Sequence, residues 1–447
     1  MLTSEENDLL TRIGPGMPMG DLLRRFWLPI AVVSDAPCAD GSPVRLKILH
    51  EDLVLFRDSK GTFGLVDAYC PHRGAPLEFG RNEECGLRCI YHGWKFDVNG
   101  QCVDMPNVAH NAAAQTRQRI TSYPVVEQGG MLWTYMGPTK ATPPFPHFAF
   151  RDRPASDVFA KQFEVRANWL QTVENEFDFA HGAFLHSAGA RPSAAVDIVG
   201  VELSTEHGVA EFLRIEDFSA GISQVAKIHL GGTVGGHMIH YLLPCFMAVG
   251  VAPPGVDAYN LRTPIDDETT MMFRVRSSAN GPLDPGIVAR WRSGGYEFPR
   301  VIAGTHRPEA NRANRYMHDP LVQTQFNYSG VTGFVEQDLM IVEDLWGRRA
   351  DRTREHLVAS DLPVIRLRRR LLDLVQTLRT TGELAAPMAP EAFAARQLSY
   401  LFERAEDFDT EKCLAELDAQ WCVNRGDEGR PPSAPPADRV RRQSSRG

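Results

Sequence analysis

The spacing of apolar and polar residues changes along the chain and divides it into segments of different predicted structure. Residues 1–26 join a polar start to an apolar stretch around Leu22 and Leu23, which is typical of an arm with a few helical turns. Between 27 and 138, short alternating runs such as VRLKILHEDLVLFRD and MLWTYMG are separated by Gly, Asn and Pro. This alternation predicts a small all-β domain.

A second domain is predicted over residues 139–423. It follows a Pro-rich stretch, PTKATPPFPHF (138–148), which predicts a linker. Strand-like alternation returns between 196 and 280, and helical periodicity dominates the remainder, so we expect an α+β domain with an antiparallel sheet flanked by helices. The final segment, 424–447, is rich in Pro, Ser and Arg and is predicted to be a disordered tail.

The clearest helix is predicted over residues 360–383. Ser360 or Asp361 can cap its start, and Pro363 suits its first turn. Gly382 can end it, because glycine accepts the left-handed conformation that often follows a helix.

Composition and charge exclude several classes of function. The chain has 447 residues, of which 43% are hydrophobic and 23% charged, as is ordinary for globular proteins with two domains or more. A formal net charge of -8 does not favour nucleic acid or an anionic membrane as a partner. The acidic N-terminus lacks a signal-peptide pattern and no apolar run reaches ~18 residues. We therefore expect a cytoplasmic protein.

Four metal-capable side chains lie on two short loops of the predicted β domain. CPHRG supplies Cys70 and His72, and CIYHGWKF supplies Cys89 and His92. A closed zinc site could use this set, but zinc sites usually pair Cys with Cys and His with His. In a [2Fe–2S] cluster, two thiolates can hold one iron and two imidazoles the other, which also raises the reduction potential. The mixed loops therefore favour the cluster.

A second group of metal-capable residues lies in NWLQTVENEFDFAHGAFLH (168–186), a predicted helix. Asp178 and His181 share a helix face, but His186 would be turned about 140° from His181 at about 100° per residue. Both imidazoles can reach one ion only if the helix ends or bulges near Gly182. Two histidines and one carboxylate form the facial triad of non-haem Fe(II) oxygenases, so a carboxylate from elsewhere in the chain is still required.

The two loops resemble the Rieske domain of ring-hydroxylating oxygenases, and the spacing Asp178-x₂-His181-x₄-His186 is similar to the catalytic iron motif of that family. The stretches TRIGPGMPMGDLLRRFW and FGRNEECGLRCIYHGWKFDVNGQCVDMPN resemble its phthalate dioxygenase branch, and the likeness extends over about residues 9–380. It implies an N-terminal all-β Rieske [2Fe–2S] domain over 27–138 and a catalytic α+β domain with a mononuclear Fe(II).

The resemblance also implies the remaining site residues. In GFVEQDLMIVEDLWGRRADRTREHL, it implies Asp338 as the third iron ligand. Asp178 would link a Rieske histidine of one subunit, either His72 or His92, to an iron-bound histidine of its neighbour, which implies a homotrimer or hexamer. Asn175 would lie beside the iron; an amide that only packs the helix is the alternative. The competing carboxylates near Asp338 are Glu336, Glu343 and Asp344.

The implied function is that of a terminal oxygenase component, which uses O₂ and electrons from a separate NAD(P)H-dependent flavin/iron–sulfur reductase. The sequence contains neither a strand–GxGxxG–helix unit nor a plant-type ferredoxin pattern, so the reductase must be a partner. An aromatic carboxylate such as phthalate is the expected substrate. The alternatives are an O- or N-demethylase, a diaryl-ether-cleaving monooxygenase, and, from another class, a Rieske electron-transfer protein.

The substrate pocket is expected between residues 187 and 330, where no motif stands out. Arginines on strand-like segments there could pair with a substrate carboxylate, although each by itself is expected on the surface. These are Arg214, Arg262, Arg274 and Arg276. A second cluster is expected to be a solvated helix face. It consists of Arg366, Arg368, Arg369 and Arg370.

Overall fold

The structure, a computed structural model, describes residues 2–108, 117–188, 211–230, 233–250, 255–295, 297–384 and 389–424. The predicted tail lies outside these ranges from residue 425 onward. The helices of the described part are α1 (Ser4–Thr11), α2 (Pro18–Leu23), α3 (Trp169–Phe177), α4 (Pro285–Ser293), α5 (Pro320–Gln325), α6 (Phe334–Val342), α7 (Leu362–Thr381) and α8 (Thr410–Asn424). None of them combines the length and the apolar character that crossing a membrane requires.

The N-terminal domain consists of three small antiparallel sheets, as the alternating sequence predicted. Their strands are β1 (Trp27–Val32), β2 (Val44–Ile48), β3 (Glu51–Arg57), β4 (Phe63–Asp67), β5 (Arg81–Glu83), β6 (Gly86–Arg88), β7 (Lys95–Phe96), β8 (Cys102–Asp104), β9 (Ser122–Tyr123), β10 (Val125–Gln128) and β11 (Met131–Tyr135). The strand orders are β1-β11-β10, β2-β3-β4-β9 and β5-β6-β7-β8. The first Cys/His loop follows β4, and the second connects β6 to β7.

The second domain is built on one antiparallel sheet of order β12-β18-β17-β16-β15-β14-β13, with β19 paired to β15. Its strands are β12 (Val158–Val165), β13 (Phe212–Phe218), β14 (Gly221–Leu230), β15 (Thr233–Leu242), β16 (Phe246–Ala248), β17 (Val256–Asp266), β18 (Thr269–Ser278) and β19 (Leu398–Phe402). Helix α3 packs on β15, β16 and β17, and α6 packs on α3. This arrangement confirms the predicted α+β domain.

Helix α7 lies close to its predicted bounds. Pro363 stands in its first turn, and Gly382 ends it in the left-handed conformation, with φ of 76°. Asp361 is the cap residue, but its carboxylate accepts the N–H of Val358 and not one from the helix. The apolar stripe of α7 is buried, including Leu367, and packs against α1 and α2.

One hydrophobic core runs through both domains. Trp133 of β11 packs edge-on against Phe145 at 5.2 Å and stacks on Phe148 at 5.6 Å, so the predicted linker carries core residues. Trp133 also meets Phe246 of the catalytic sheet, with ring centroids 6.2 Å apart. The linker has only a short 3₁₀ turn at Thr139–Ala141. The chain crosses between domains without a gap in the apolar packing.

The N-terminal arm packs on the catalytic domain. Leu10 and Thr11 of α1 are fully buried. Asn168, which caps α3, donates to the Thr11 carbonyl at 2.9 Å, and Asn7 donates to the Ala350 carbonyl at 3.1 Å. The arm therefore supports the helix that carries the predicted iron residues.

Replacing Trp133 by Ala should lower the free energy of unfolding by about 3–5 kcal/mol, because the ring is fully buried. Circular dichroism and tryptophan fluorescence should report one shared transition during denaturant unfolding, since both domains use this core. Phe79→Ala is the control: its side chain is 65% exposed, and the change should stay within about 0.5 kcal/mol. Two separate transitions, of which only one shifts, would contradict a shared core.

Candidate metal centres

The two Cys/His loops of the N-terminal domain have the same backbone pattern. In each, the cysteine N–H donates to the carbonyl five residues later, and a glycine four residues after the cysteine donates back to the cysteine carbonyl, at 2.8–3.0 Å. Gly74 and Gly93 have φ of 70° and 81°, a conformation that glycine adopts without strain. The backbone thus turns both cysteines inward, independently of any side-chain contact.

The four predicted cluster ligands come together at these turns. Cys70 and Cys89 are buried, and burial raises the pKa of the Cys70 thiol to about 11. The rings of His72 and His92 meet edge to face with centroids 4.4 Å apart. Trp94 stacks on His72 at 4.7 Å. The loops therefore bring two buried sulfur atoms and two imidazoles to one place.

The geometry of the four side chains fits a binuclear cluster. No three of their ligand atoms lie within 4.8 Å of one another, whereas the ligands of one tetrahedral zinc would be within ~4 Å. Two irons separate the thiolate pair from the imidazole pair. The buried Nδ1 of His72 also has no hydrogen-bond partner among the described residues, as a metal-facing nitrogen requires. The zinc alternative does not fit this arrangement.

Helix α3 ends earlier than predicted. The sequence suggested a break near Gly182, but the last helical residue is Phe177, and Asp178 is the C-cap with extended backbone. The carboxylate of Asp178 accepts the N–H of Ala180 at 2.8 Å, and a 3₁₀ turn follows at Ala180–Ala183. Because α3 ends before His181 and His186, their side chains are not about 140° apart as they would be on a continuous helix, and they can approach each other.

His181, His186 and Asp338 form one cluster. The Nε2 atoms of the two histidines lie 3.2 Å apart, and Asp338 Oδ1 lies 3.1 Å from His186 Nε2 and 3.7 Å from His181 Nε2. Among the described residues, this is the group of three or more metal-capable side chains whose ligand atoms all lie within 4.8 Å. Two imidazoles and one carboxylate on one side of an ion would leave its other positions open.

Both imidazoles are oriented by hydrogen bonds from their second nitrogen. His181 Nδ1 lies 2.7 Å from the Asp178 carbonyl, and His186 Nδ1 lies 2.7 Å from Gln337 Oε1. Gln337 Nε2 donates to the Val331 carbonyl at 2.9 Å, which fixes its oxygen as the acceptor for His186. Both Nδ1 atoms therefore face hydrogen-bond acceptors, and both Nε2 atoms face Asp338, where they are placed to bind a metal ion. Sequence reasoning missed Gln337, although it directly precedes Asp338 in the EQD motif.

Asp338 is the carboxylate that reaches the histidines. Burial by itself would raise its pKa, but His186, His181 and the amide of Asn175 hold the pKa of Asp338 at about 2. Asn175 donates to Asp338 Oδ1 at 3.0 Å, which places it beside the three side chains. Two competitors are engaged elsewhere: Glu343 accepts from the Arg166 N–H and the Tyr316 hydroxyl, and Asp344 pairs with Arg312. Glu336, the third, is not part of the group whose ligand atoms lie within 4.8 Å of one another.

The arginines expected on the surface or at a substrate instead form ion pairs, and Arg262, Arg274 and Arg276 are buried. Arg262 is fully buried and pairs with Glu176 of α3, and Arg276 pairs with Glu297 at 2.5 Å. Arg274 lies 3.7 Å from Glu176, and Arg214 binds Asp418. The expectation for the second cluster is also wrong at Arg368, which is only 4% exposed. Composition cannot reveal these pairs, because each partner is distant in sequence.

The space behind Asp338 is too small for an aromatic ring. A cavity of about 20 Å³, lined by Asn175, Glu176 and Arg274 among others, has room for about one water molecule. Part of the predicted pocket region, residues 189–210, 231–232, 251–254 and 296, lies outside the described residues.

Comparison with known proteins identifies both domains. Residues 26–124 match the Rieske [2Fe-2S] domain, and residues 238–408 match the LigXa C-terminal domain like family. The chain is similar to the phthalate 4,5-dioxygenase oxygenase subunit of Pseudomonas putida, with 33% identity over 92% of this chain and 94% of that protein. It is also similar to the 5,5'-dehydrodivanillate O-demethylase oxygenase subunit of Sphingobium sp., with 32% identity over 83% of this chain and 80% of that protein.

The fold is similar to solved structures. The crystal structure of dicamba monooxygenase bound to 3,6-dichlorosalicylic acid superposes with a TM-score of 0.58 and covers 80% of this chain and 99% of that chain. The sequence identity is 22%, so this likeness concerns the fold alone.

Replacing Asp338 by Ala should abolish tight metal binding at the histidine pair, because two neutral imidazoles remain without a carboxylate. Anaerobic Fe(II) titration should then find about one bound iron per chain fewer than in the unchanged protein. Asp344→Ala is the matched control, since Asp344 is exposed and pairs with Arg312. Unaltered iron binding by the Asp338 variant would remove Asp338 from the ligand set.

Proposed function

Because the chain belongs to the Rieske non-haem iron ring-hydroxylating oxygenases, in their phthalate dioxygenase-like branch, we propose that it oxygenates an aromatic carboxylate. It is the terminal oxygenase component of a system whose electrons come through a reductase. Two similar proteins are named for phthalate and for 5,5'-dehydrodivanillate, which are both aromatic carboxylates. This shared chemistry supports the substrate class.

The proposed ligands are those that the geometry brings together. Cys70 and Cys89 would hold one iron of the cluster, and His72 and His92 the other. The mononuclear Fe(II) would be held by three side chains, His181, His186 and Asp338. When bound, the cluster supplies single electrons and the mononuclear iron supplies the centre for O₂ activation.

The observation that carries the proposal is the open triad of His181, His186 and Asp338. An electron carrier needs no second metal site with open positions, so this triad favours an oxygenase over the electron-transfer alternative. The three side chains are held before any metal arrives, because Gln337 orients His186 and Asn175 binds Asp338. His186 and Asp338 are also buried, which keeps competing water from the ligand atoms.

Asp178 is the proposed link between the two metal centres of neighbouring subunits. Its carbonyl orients His181, while its side chain is 27% exposed and available to a second chain. Trp94 covers one face of His72, whereas His92 lies beside the exposed Tyr91. We therefore propose that His92 faces Asp178 of the next subunit.

Exposed apolar side chains support an assembly of several chains, proposed as a homotrimer or hexamer. Ile90 and Tyr91, at the tip of the second Cys/His loop, are 62% and 54% exposed. Val358 and Leu362 are also exposed, and they lie in the segment that contains Asp361. Burial, with a smaller contribution from the charge of Asp361, raises the pKa of Asp178. Contact between these two surfaces would remove both from water.

The partner reductase is proposed to draw on NAD(P)H in the cytoplasm. Reduced cysteines are expected in that compartment. The described cysteines form no disulfide with one another, which agrees with this location.

Turnover with NADH, a phthalate-type reductase and a panel of aromatic mono- and dicarboxylates and methoxybenzoates tests the substrate class. Mass spectrometry should find oxygen from ¹⁸O₂ in the product. A gain of two oxygens and two hydrogens marks dihydroxylation, one oxygen marks monooxygenation, and formaldehyde release marks O-demethylation. If no aromatic carboxylate is oxidised while the protein holds both metal centres, the proposed substrate class is wrong.

Asp178→Asn should leave both metal centres filled but lower product formation about 100-fold or more, because a neutral amide accepts the hydrogen bond of the neighbouring subunit's imidazole more weakly than a carboxylate does. Iron and sulfide analysis checks that both metal centres are filled, and the product yield measures the loss of turnover. Asp361→Asn is the control for the loss of one nearby surface charge. Full turnover by the Asp178 variant would exclude the linking role.

Mixed oligomers test whether the electron path crosses between chains. Chains with Cys70→Ser lack a complete cluster, and chains with His181→Ala lack a complete iron site. Each variant alone should be inactive, and coexpression should restore partial activity if a cluster serves the iron of its neighbour. Inactive mixed oligomers would confine the path to one chain.

A further inference from the structure

The DRTREHL stretch (351–357) contributes side chains to the interior next to the iron helix. Arg352 lies in a 3₁₀ turn at Arg352–Arg354 and is fully buried. Its guanidinium binds both carboxylate oxygens of Glu174 on α3, with distances of 2.7–3.1 Å. Its Nη1 lies 3.3 Å from Asn7 Oδ1 of the N-terminal arm. Arg352 of this motif therefore makes defined contacts with Glu174 and Asn7, neither of which is a proposed metal ligand.

A second arginine completes the cluster. Arg368 of α7 donates to Glu174 Oε1 at 2.6 Å and binds Glu355 through two nitrogen atoms at 2.5 and 2.9 Å. Two arginines and two carboxylates thus cancel in charge within the protein interior. Burial would raise the pKa of Glu174, but Arg352 and Arg368 keep it below its usual range. Glu174 is therefore ionised and held by both cations.

The position of Glu174 connects this cluster to the iron site. The carbonyl of Glu174 accepts the N–H of Asp178 at 2.8 Å, which is the last hydrogen bond of α3. Carboxylates near a helix C-terminus are disfavoured by the helix dipole, and the last turn of α3 contains no basic residue. The compensating cations come from outside the helix. The end of α3 is therefore held where Arg352 and Arg368 place it.

We propose that Arg352 and Arg368 are positioning residues for the iron centre, acting through Glu174 on the end of α3. They hold the last turn of α3 in place, and with it the Asp178 carbonyl that orients His181. This inference rests on the proposed function, because it assigns these residues to the mononuclear iron site. A cluster that serves only stability is the competing explanation.

A charge-balanced double variant separates the two explanations. Arg352→Met alone leaves one surplus negative charge in the interior. Glu174→Gln combined with Arg352→Met leaves the neutral Arg368–Glu355 pair, so the double variant should regain stability. Arg352→Lys is a milder companion, which keeps the charge but loses the two-pronged contact. Arg354→Met is the matched control, because Arg354 is exposed in the same 3₁₀ turn.

Three readouts are compared in the full-length, iron-loaded protein: the thermal midpoint, the EPR spectrum of the NO-treated mononuclear Fe(II), and the rate at which the reduced Rieske chromophore is reoxidised by O₂ with substrate. The double variant should match the unchanged protein in thermal midpoint and Rieske spectrum. Its NO-complex spectrum should be altered, and its reoxidation should slow about tenfold or more. Arg352→Lys should change the EPR spectrum and the reoxidation rate in the same direction as the double variant. Arg354→Met should change neither the spectrum nor the rate.

The proposal is overturned if Arg352→Lys or the double variant is folded and has the EPR spectrum and reoxidation rate of the unchanged protein. If the double variant regains the EPR spectrum and the reoxidation rate together with its stability, the Arg352–Arg368 cluster serves folding alone. Failure of the proposed function is a different result, because then the unchanged protein itself would lack an NO-reactive iron.

Discussion

The ion pairs at the end of α3 are the constraint on which the rest of the structure depends. Glu174 and Glu176 stand in the last turn of this helix, where its dipole is unfavourable to negative charge. The cations that offset them come from distant parts of the chain: Arg262 from β17, Arg352 from a 3₁₀ turn and Arg368 from α7. The catalytic sheet, the C-terminal helices and the N-terminal arm must therefore all be folded before the end of α3 has a fixed position.

The two metal centres are prepared by different physical means. The cluster loops are local: each is shaped by the same two backbone hydrogen bonds and one glycine, so a short stretch of sequence suffices. The His181–His186–Asp338 site is assembled from the segment after α3 and the middle of α6, and its ligands are oriented by Gln337 and Asn175. The first can form within one small domain, whereas the second requires the folded catalytic domain.

This difference explains how much could be predicted from the sequence. The cluster ligands follow from residue type and spacing, and the alternating strands and α7 follow from periodicity. The end of α3 was misplaced, because Asp178 stops the helix through a hydrogen bond to Ala180 that spacing alone does not reveal. Arg262 and Arg368 were expected at the surface, since a buried cation becomes favourable only with a partner that folding brings from elsewhere. Gln337 was missed for the same reason.

The continuous core around Trp133 has a consequence for the timing of electron delivery. Since Phe145 and Phe148 pack the connecting segment into both domains, the Rieske domain has no free tether on which to swing. Within one chain, the distance between the Cys/His loops and the His181–His186–Asp338 site is then set by this packing. The timing of electron transfer therefore cannot be controlled by the movement of a whole domain within the chain. It has to be controlled by a smaller movement, of the size of one side chain or one helix turn.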